Sequence, residues 1–60
     1  MTPSNLNQFF TNRPALSKAE FAREAGVSVR LLDYILEGKR NLTPATADKI
    51  RPVMVRYGWK

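Results

Sequence analysis

The chain contains neither cysteine nor histidine. Without cysteine it forms no disulfide, and without both residue types it lacks the usual ligands of zinc. The same two absences remove the commonest general base and the strongest nucleophile, and no pair of carboxylates stands out as an acid and a base. The composition therefore predicts a protein that is not an enzyme and that uses no metal, cofactor or small molecule.

Long apolar runs are also missing, since the longest uninterrupted ones are only a few residues. A membrane-spanning helix needs about 20 predominantly apolar residues, and the core of a signal peptide needs about 7 to 15. We therefore expect no membrane association and a cytoplasmic location.

The chain is short and basic. Its 60 residues predict one domain, 1–60, which buries only about 60% of its unfolded surface and so has a marginal core. Ten Lys and Arg against five Asp and Glu give a net charge of +5 and a pI near 10.3. Such a surface suits a polyanion, although many soluble domains carry a similar charge for solubility alone.

Helix start and stop signals follow one another along the whole sequence. A first helix begins at Thr2–Ser4, carries an apolar stripe and ends before Pro14. A second begins at Ser17, whose spacing to Glu20 predicts a capping box, and ends at Gly26. Leu16 precedes the Ser17 cap as one half of a hydrophobic staple. The apolar faces of these two helices consist of Leu6, Phe9 and Phe10, and of Phe21, Ala22 and Ala25.

The second half of the chain contains the same kinds of helix start and stop signals. A third helix begins at Ser28 and ends at Gly38, and a fourth begins at Thr43 with Pro44 in its first turn. Pro52 then predicts either a kink or a break into a short fifth helix. Gly58 closes that element and leaves residues 59–60 as a tail. In the third helix, Leu32, Ile35 and Leu36 are expected to face the core. The fourth helix carries Ala47 and Ile50, and the short element beyond Pro52 contains Val53, Met54 and Tyr57.

The second and third helices carry the strongest functional signal. Two short amphipathic helices joined across Gly26 must cross steeply, which leaves the outer face of the second one free to project from the body. This pattern predicts a helix-turn-helix, whose second helix enters the major groove of DNA. The side chains predicted to point outward are Val29, Arg30, Asp33, Tyr34 and Glu37.

The segment from Leu16 to Ile50 resembles the helix-turn-helix of the lambda-repressor and Cro-like family. The run Leu36–Asn41, followed by Leu42–Pro44, is similar to the "E-N-G-K-R" end of that family's recognition helix and to its capped fourth helix. The resemblance implies a compact, all-α, lambda-repressor-like domain of four or five helices. It also implies a sequence-specific transcriptional regulator, a small Cro-like repressor of a phage or mobile element that occupies a pseudo-palindromic operator in a bacterial cell.

By this resemblance, bases are contacted from the start and the outer face of the third helix. Arg30 matches guanine O6 and N7, a bidentate contact that contributes about 1–3 kcal/mol of discrimination; as an alternative, it pairs with Asp33 on the surface. Val29 contacts a thymine methyl or only occupies the first turn. Tyr34 contacts a base edge or a phosphate, or packs partly into the core. Asp33 accepts a hydrogen bond from cytosine N4 or orients a neighbouring basic group.

Phosphate contacts are expected on both sides of the third helix. Ser17 and Lys18 begin the second helix and Ser28 precedes the third, and helix N-termini favour anions. Lys39, Arg40 and Asn41 lie just beyond the third helix, where the alternative for the basic pair is a solvated turn. Such contacts set register without discriminating sequence.

The C-terminal run is more apolar than one short helix needs. Much of it should close the core, and any excess predicts a homodimer interface that includes Val53, Met54, Val55, Tyr57 and Trp59. Two alternatives stay open. One is a helical protein-interaction module, favoured if Leu31, Val55 and Trp59 form the main exposed patch. The other is a phage DNA-binding accessory protein that acts in replication or excision.

Overall fold

The computed structural model describes residues 1–59 and consists of helices and connecting turns. The helices are α1 (Pro3–Thr11), α2 (Lys18–Ala25), α3 (Val29–Leu36) and α4 (Pro44–Arg56). No strand occurs within these 59 residues. The predicted all-α class is confirmed, with the lower of the two expected helix numbers.

Every helix begins at a hydroxyl residue, as the sequence predicts. The side-chain oxygens of Thr2, Ser17, Ser28 and Thr43 each accept a hydrogen bond from the backbone N–H three residues later, at 3.0 to 3.3 Å. A cap of this kind typically stabilises a helix by about 1 kcal/mol. In a chain whose core is small, these four caps decide where the helices begin.

The capping box predicted at Ser17 forms only in part. Ser17 accepts from the backbone N–H of Glu20, but the Glu20 carboxylate lies 3.2 Å from the guanidinium of Arg23 instead of returning to the cap. The reciprocal arrangement occurs at α1, where the Thr2 N–H donates to Asn5 Oδ1 at 2.9 Å. An amide at this position serves as well as the expected carboxylate, because only an acceptor oxygen is needed.

The core draws on all four helices. Three phenylalanine rings from α1 and α2 pack edge to face or tilted, with centroids 5.0 to 5.6 Å apart. Phe10 and Leu36 are only half-buried, so they form the rim of the core rather than its centre. The fully or almost fully buried apolar residues are Leu6, Phe9, Phe21, Ala22, Ala25, Leu32, Ile35, Ala47, Ile50, Val53 and Met54.

A break at Pro52 does not occur, and the predicted fifth helix is wrong. Helix α4 runs through the proline as a continuous element of 13 residues. Pro52 lies on the exposed side of α4, whereas Val53 and Met54 on the inner side are buried. The carbonyl that loses its hydrogen bond therefore faces solvent, and core packing on the opposite side holds the two halves of the helix together.

The turn between α2 and α3 has the geometry that Gly26 predicts. Only residues 26–28 separate the two helices, and Gly26 takes the left-handed conformation at φ +76°. The Val27 N–H closes the turn by donating to the Ala22 carbonyl at 3.0 Å. A residue with a Cβ is strained in this conformation, so glycine permits the abrupt change of helix direction.

The end of the chain folds back onto the body. The Trp59 N–H donates to the Met54 carbonyl at 2.9 Å, and its side chain is partly buried against the core; the predicted free tail is therefore wrong at Trp59, and Lys60 lies outside the described residues. The Arg13 guanidinium donates to the Tyr57 carbonyl at 2.8 Å and to the Phe9 carbonyl at 3.3 Å. One cation thus satisfies the C-terminal ends of both α1 and α4.

Candidate nucleic-acid interface

An open groove of about 930 Å³ runs along the outer side of α3. All four residues predicted to contact bases line it, and Lys18 joins them from the first turn of α2. Part of α1 forms the opposite wall. This α3 groove is lined by Asn7, Phe10, Thr11, Lys18, Val29, Arg30, Asp33, Tyr34, Leu36 and Glu37.

The inner face of α3 fixes the orientation of its outer face. Leu32 and Ile35 are almost completely buried, at 0% and 1% exposure, and so anchor the helix from below. At its C-terminal end, the Leu36 carbonyl accepts a hydrogen bond from Asn7 Nδ2 at 3.2 Å. Helix α3 therefore cannot roll about its axis without breaking the core, and its outward side chains are held in place.

Arg30 is exposed in the first turn of α3 and projects into the groove. The alternative that it pairs with Asp33 is not what the structure shows, since Asp33 pairs with Lys18 at 3.7 Å. Within residues 1–59, no carboxylate forms an ion pair with Arg30. Its five N–H donors are therefore available to an external acceptor.

Val29 and Tyr34 provide apolar surface at the two ends of this group. Val29 is 38% exposed, so the methyl groups of the first residue of α3 are accessible from solvent. Tyr34 is partly buried, and its ring lies 6.0 Å from the Lys39 ammonium. Its backbone carbonyl accepts from the N–H groups of Lys39 at 2.8 Å and Arg40 at 3.3 Å. Tyr34 therefore also fixes the basic turn that follows α3.

The predicted phosphate ligands after α3 lie together in a second depression, of about 340 Å³. This basic hollow is lined by Leu31, Lys39, Arg40, Asn41, Thr43 and Thr46, so it sits at the N-terminus of α4. Lys39 lies 4.0 Å from the Glu37 carboxylate, an exposed and loose pair. Both basic side chains are exposed, and the helix end adds partial positive charge to the hollow.

Ser17 and Ser28 are exposed, and their hydroxyl oxygens are already used as helix caps. A hydroxyl that accepts from a backbone N–H keeps its own O–H free to donate. Each serine therefore retains one donor for an anion at the start of its helix. The two caps belong to the two helices that bear Lys18 and Arg30.

The sequence patterns did not mark four of the residues that line the groove. One is Leu36, which was predicted to face the core. The other three are Asn7, Phe10 and Thr11, which lie on α1 at spacings of three and four and so share one face. Nothing local marks this face as part of a site. Only the packing of α1 against α3 brings it beside the outward side chains.

A different charged cluster holds the far side of α2 against the end of α4. The Glu24 carboxylate accepts a hydrogen bond from the Tyr57 hydroxyl and lies 2.6 Å from the Arg56 guanidinium. The Tyr57 hydrogen bond lowers the pKa of Glu24 below its usual 4.5; partial burial opposes this effect and Arg56 adds to it. The same hydrogen bond raises the pKa of Tyr57 above 10.0.

The predicted dimer surface is smaller than expected. Val53 and Met54 are buried in the core of the monomer, at 2% and 0% exposure, so they are not part of any surface. Tyr57 is tied to Glu24 and Trp59 is partly buried, whereas Val55 is 54% exposed. The accessible part of this region is therefore Val55 with the edges of Tyr57 and Trp59.

No protein-family model, curated protein or solved structure matches this chain. None of the described helices has the length and apolar character needed to cross a membrane. Over residues 1–59, no group of acidic side chains is arranged to hold a metal ion. Function is therefore inferred from the α3 groove and the basic hollow.

Proposed function

We propose that this chain is a sequence-specific DNA-binding protein in which α2 and α3 form a helix-turn-helix and α3 enters the major groove. The fold proposed is that of the lambda-repressor-like domains, which the segment from Leu16 to Ile50 resembles. The role proposed is that of a transcriptional repressor in a bacterial cell. It acts by occupying an operator and blocking polymerase.

One observation carries the proposal: Arg30 lies exposed and without an ion pair, within residues 1–59, on the outer face of a helix flanked by basic groups on both sides. Lys18 lies on the α2 side, in the same groove. Lys39 and Arg40 lie on the other side, in the basic hollow. A donor fork for bases between two sets of phosphate ligands suits recognition in the major groove, where phosphate contacts fix the register and base contacts discriminate sequence.

The four groove residues supply complementary contacts to bases. Arg30 donates to guanine O6 and N7, and Val29 offers methyl groups to the thymine C5-methyl. Asp33 accepts from cytosine N4, and Tyr34 contacts a base edge or a phosphate. The backbone contacts come from Ser17, Lys18, Ser28, Lys39, Arg40 and Asn41.

The two carboxylates on this face do not contradict the proposal, because each faces a lysine. Asp33 lies 3.7 Å from Lys18, and Glu37 lies 4.0 Å from Lys39. Both pairs are about half exposed, so each contributes little to stability.

A protein-interaction module is less well supported. Leu31 and Trp59, which would form its contact patch together with Val55, are both partly buried. Leu31 lines the basic hollow, whereas Trp59 lines a separate depression beside Asn5 and Gly58. These side chains therefore do not form one continuous apolar surface.

Selection from a random duplex library tests the proposal. The purified protein is used to retain duplexes, which are then sequenced, and we expect a short motif that contains a G·C pair. A motif repeated with two-fold symmetry would support a homodimer on a pseudo-palindromic operator, with Val55, Tyr57 and Trp59 at the contact. Retention without any enriched sequence would overturn the proposal.

A further inference from the structure

The ion pair between Lys18 and Asp33 joins a phosphate ligand to a base ligand. The Lys18 ammonium in the first turn of α2 lies 3.7 Å from the Asp33 carboxylate near the middle of α3. The two side chains remain 49% and 46% exposed, so the pair sits at the surface of the α3 groove. A lysine held by this carboxylate is not at the same time free to neutralise a phosphate.

Asp33 has a nearer partner in sequence that it does not use. Arg30 lies one helical turn earlier, at the spacing that commonly pairs on helix surfaces. The carboxylate nevertheless turns across the groove to Lys18, which leaves Arg30 without an ion pair in the described chain. The arrangement keeps the arginine available and occupies the lysine.

We infer that the Lys18–Asp33 pair is a specificity element that lowers affinity for non-cognate DNA. On an arbitrary duplex the Asp33 carboxylate retains Lys18. The negative charge of Asp33 then faces the phosphates, and Lys18 neutralises none of them. On a site that presents a cytosine amino group to α3, Asp33 accepts from N4 and releases Lys18 to a phosphate. A single base match thus yields a second contact; this inference rests on the proposed function.

The size of the effect follows from counterion release. Log K falls linearly with log salt, and each phosphate that a lysine neutralises steepens this slope by about 0.9. One such contact therefore raises affinity at 0.15 M salt about fivefold over its value at 1 M salt. The inference therefore predicts that the contribution of Lys18 depends on the duplex.

The test compares Lys18→Met in two backgrounds on two duplexes of equal length, the motif selected above and a random sequence. In the wild-type background, K18M should lose about fivefold on the selected motif and clearly less on the random duplex, where Lys18 contacts no phosphate and its removal only leaves the Asp33 carboxylate unpaired. In the Asp33→Asn background, K18M should lose about fivefold on both. D33N alone should gain about fivefold on the random duplex and steepen its salt slope by about 0.9.

Glu37→Gln is the matched control, because it removes the same charge from the wall of the same groove but leaves the Lys18–Asp33 pair intact. In this background K18M should behave as it does in the wild type. Circular dichroism and thermal melting establish that every variant is folded.

An equal loss for K18M on both duplexes in the wild-type background would overturn the inference while leaving the proposed function standing. A wild-type protein that enriches no sequence would instead remove the proposed function, and the inference with it. The two failures are therefore distinguishable in one set of measurements.

Discussion

Helix α2 forms a charged contact on each of its two sides, and the two contacts differ in kind. On the far side Glu24 is held by both Tyr57 and Arg56, and the Arg56 contact is short, at 2.6 Å. On the groove side Lys18 and Asp33 form a single, looser contact at 3.7 Å. A carboxylate with two donors at close range serves to fasten helices together. A carboxylate whose only donor is distant and exposed, such as Asp33, can exchange that donor for a group on a ligand.

The comparison extends to the arginines. Arg56 and Arg13 are committed to the body of the protein, through Glu24 and through the carbonyls of Phe9 and Tyr57. Arg30 makes no comparable contact within residues 1–59. Substitutions on the two sides of α2 should therefore separate stability from binding.

The largest expected effect concerns Arg30. Arg30→Ala should reduce affinity for the selected motif by about 5- to 150-fold, because a bidentate contact with guanine contributes about 1–3 kcal/mol of discrimination. Thermal stability should not change, since the side chain is exposed and forms no ion pair within residues 1–59. Titration of the selected motif and of a random duplex measures the affinities, and thermal melting measures the stability. Equal losses of affinity on the two duplexes would contradict the base-contact assignment.

The second largest effect is expected at Gly26, in the turn between α2 and α3. A Cβ at Gly26 meets no atom within 4 Å, so Gly26→Ala carries only the conformational cost of the left-handed backbone, about 1–2 kcal/mol. This cost should lower the midpoint of thermal unfolding by about 4–16 °C in a domain of this size. Ala19→Gly, at an exposed position in the first turn of α2, provides the comparison, because it changes one methyl outside the left-handed region and outside the core. An unchanged midpoint for G26A would show that the turn does not need this geometry.

Lys39 should affect all sequences alike. Lys39→Ala removes one proposed phosphate contact, so affinity should fall about fivefold at 0.15 M salt on the selected motif and on random DNA. The salt slope should decrease by about 0.9 on both. Lys49→Ala, an exposed lysine on α4, provides the comparison, and a sequence-dependent loss for K39A would assign Lys39 to base contact instead.

The smallest effect is expected at the clasp formed by Glu24, Arg56 and Tyr57. Because the folded pKa of Glu24 is depressed, its contribution is present above 4.5 and is lost as the pH falls through the folded value. Because the folded pKa of Tyr57 is raised, its contribution is present below 10.0 and is lost as the pH rises through that higher value.

Glu24→Gln should therefore lower the melting temperature slightly at neutral pH and flatten its dependence on pH in the acid range. DNA discrimination should be unaffected, because the clasp lies on the side of α2 away from the groove. Glu20→Gln removes a more exposed carboxylate of the same helix and is the matched control. A loss of sequence discrimination in E24Q would contradict the proposed separation of the two sides.

Local signals in the sequence determined the helices and their starts. Hydroxyl caps at Thr2, Ser17, Ser28 and Thr43 and a left-handed turn at Gly26 are short-range devices, each complete within a few residues. The spacing of apolar residues along each helix likewise predicted which face is buried, because helical periodicity is also a short-range property. These features could be predicted because the physics that produces them acts between neighbours in the chain.

Tertiary packing decided what those signals left open. It carried α4 through Pro52, because the buried residues on its inner side outweigh one hydrogen bond lost on the solvent side. It placed Val53 and Met54 in the core, and it brought α1 beside α3 to complete the groove. It also placed Asp33 within ion-pair distance of Lys18, so that Asp33 does not pair with Arg30. Partners distant along the chain have no signature in local spacing, since their proximity depends on how whole helices pack.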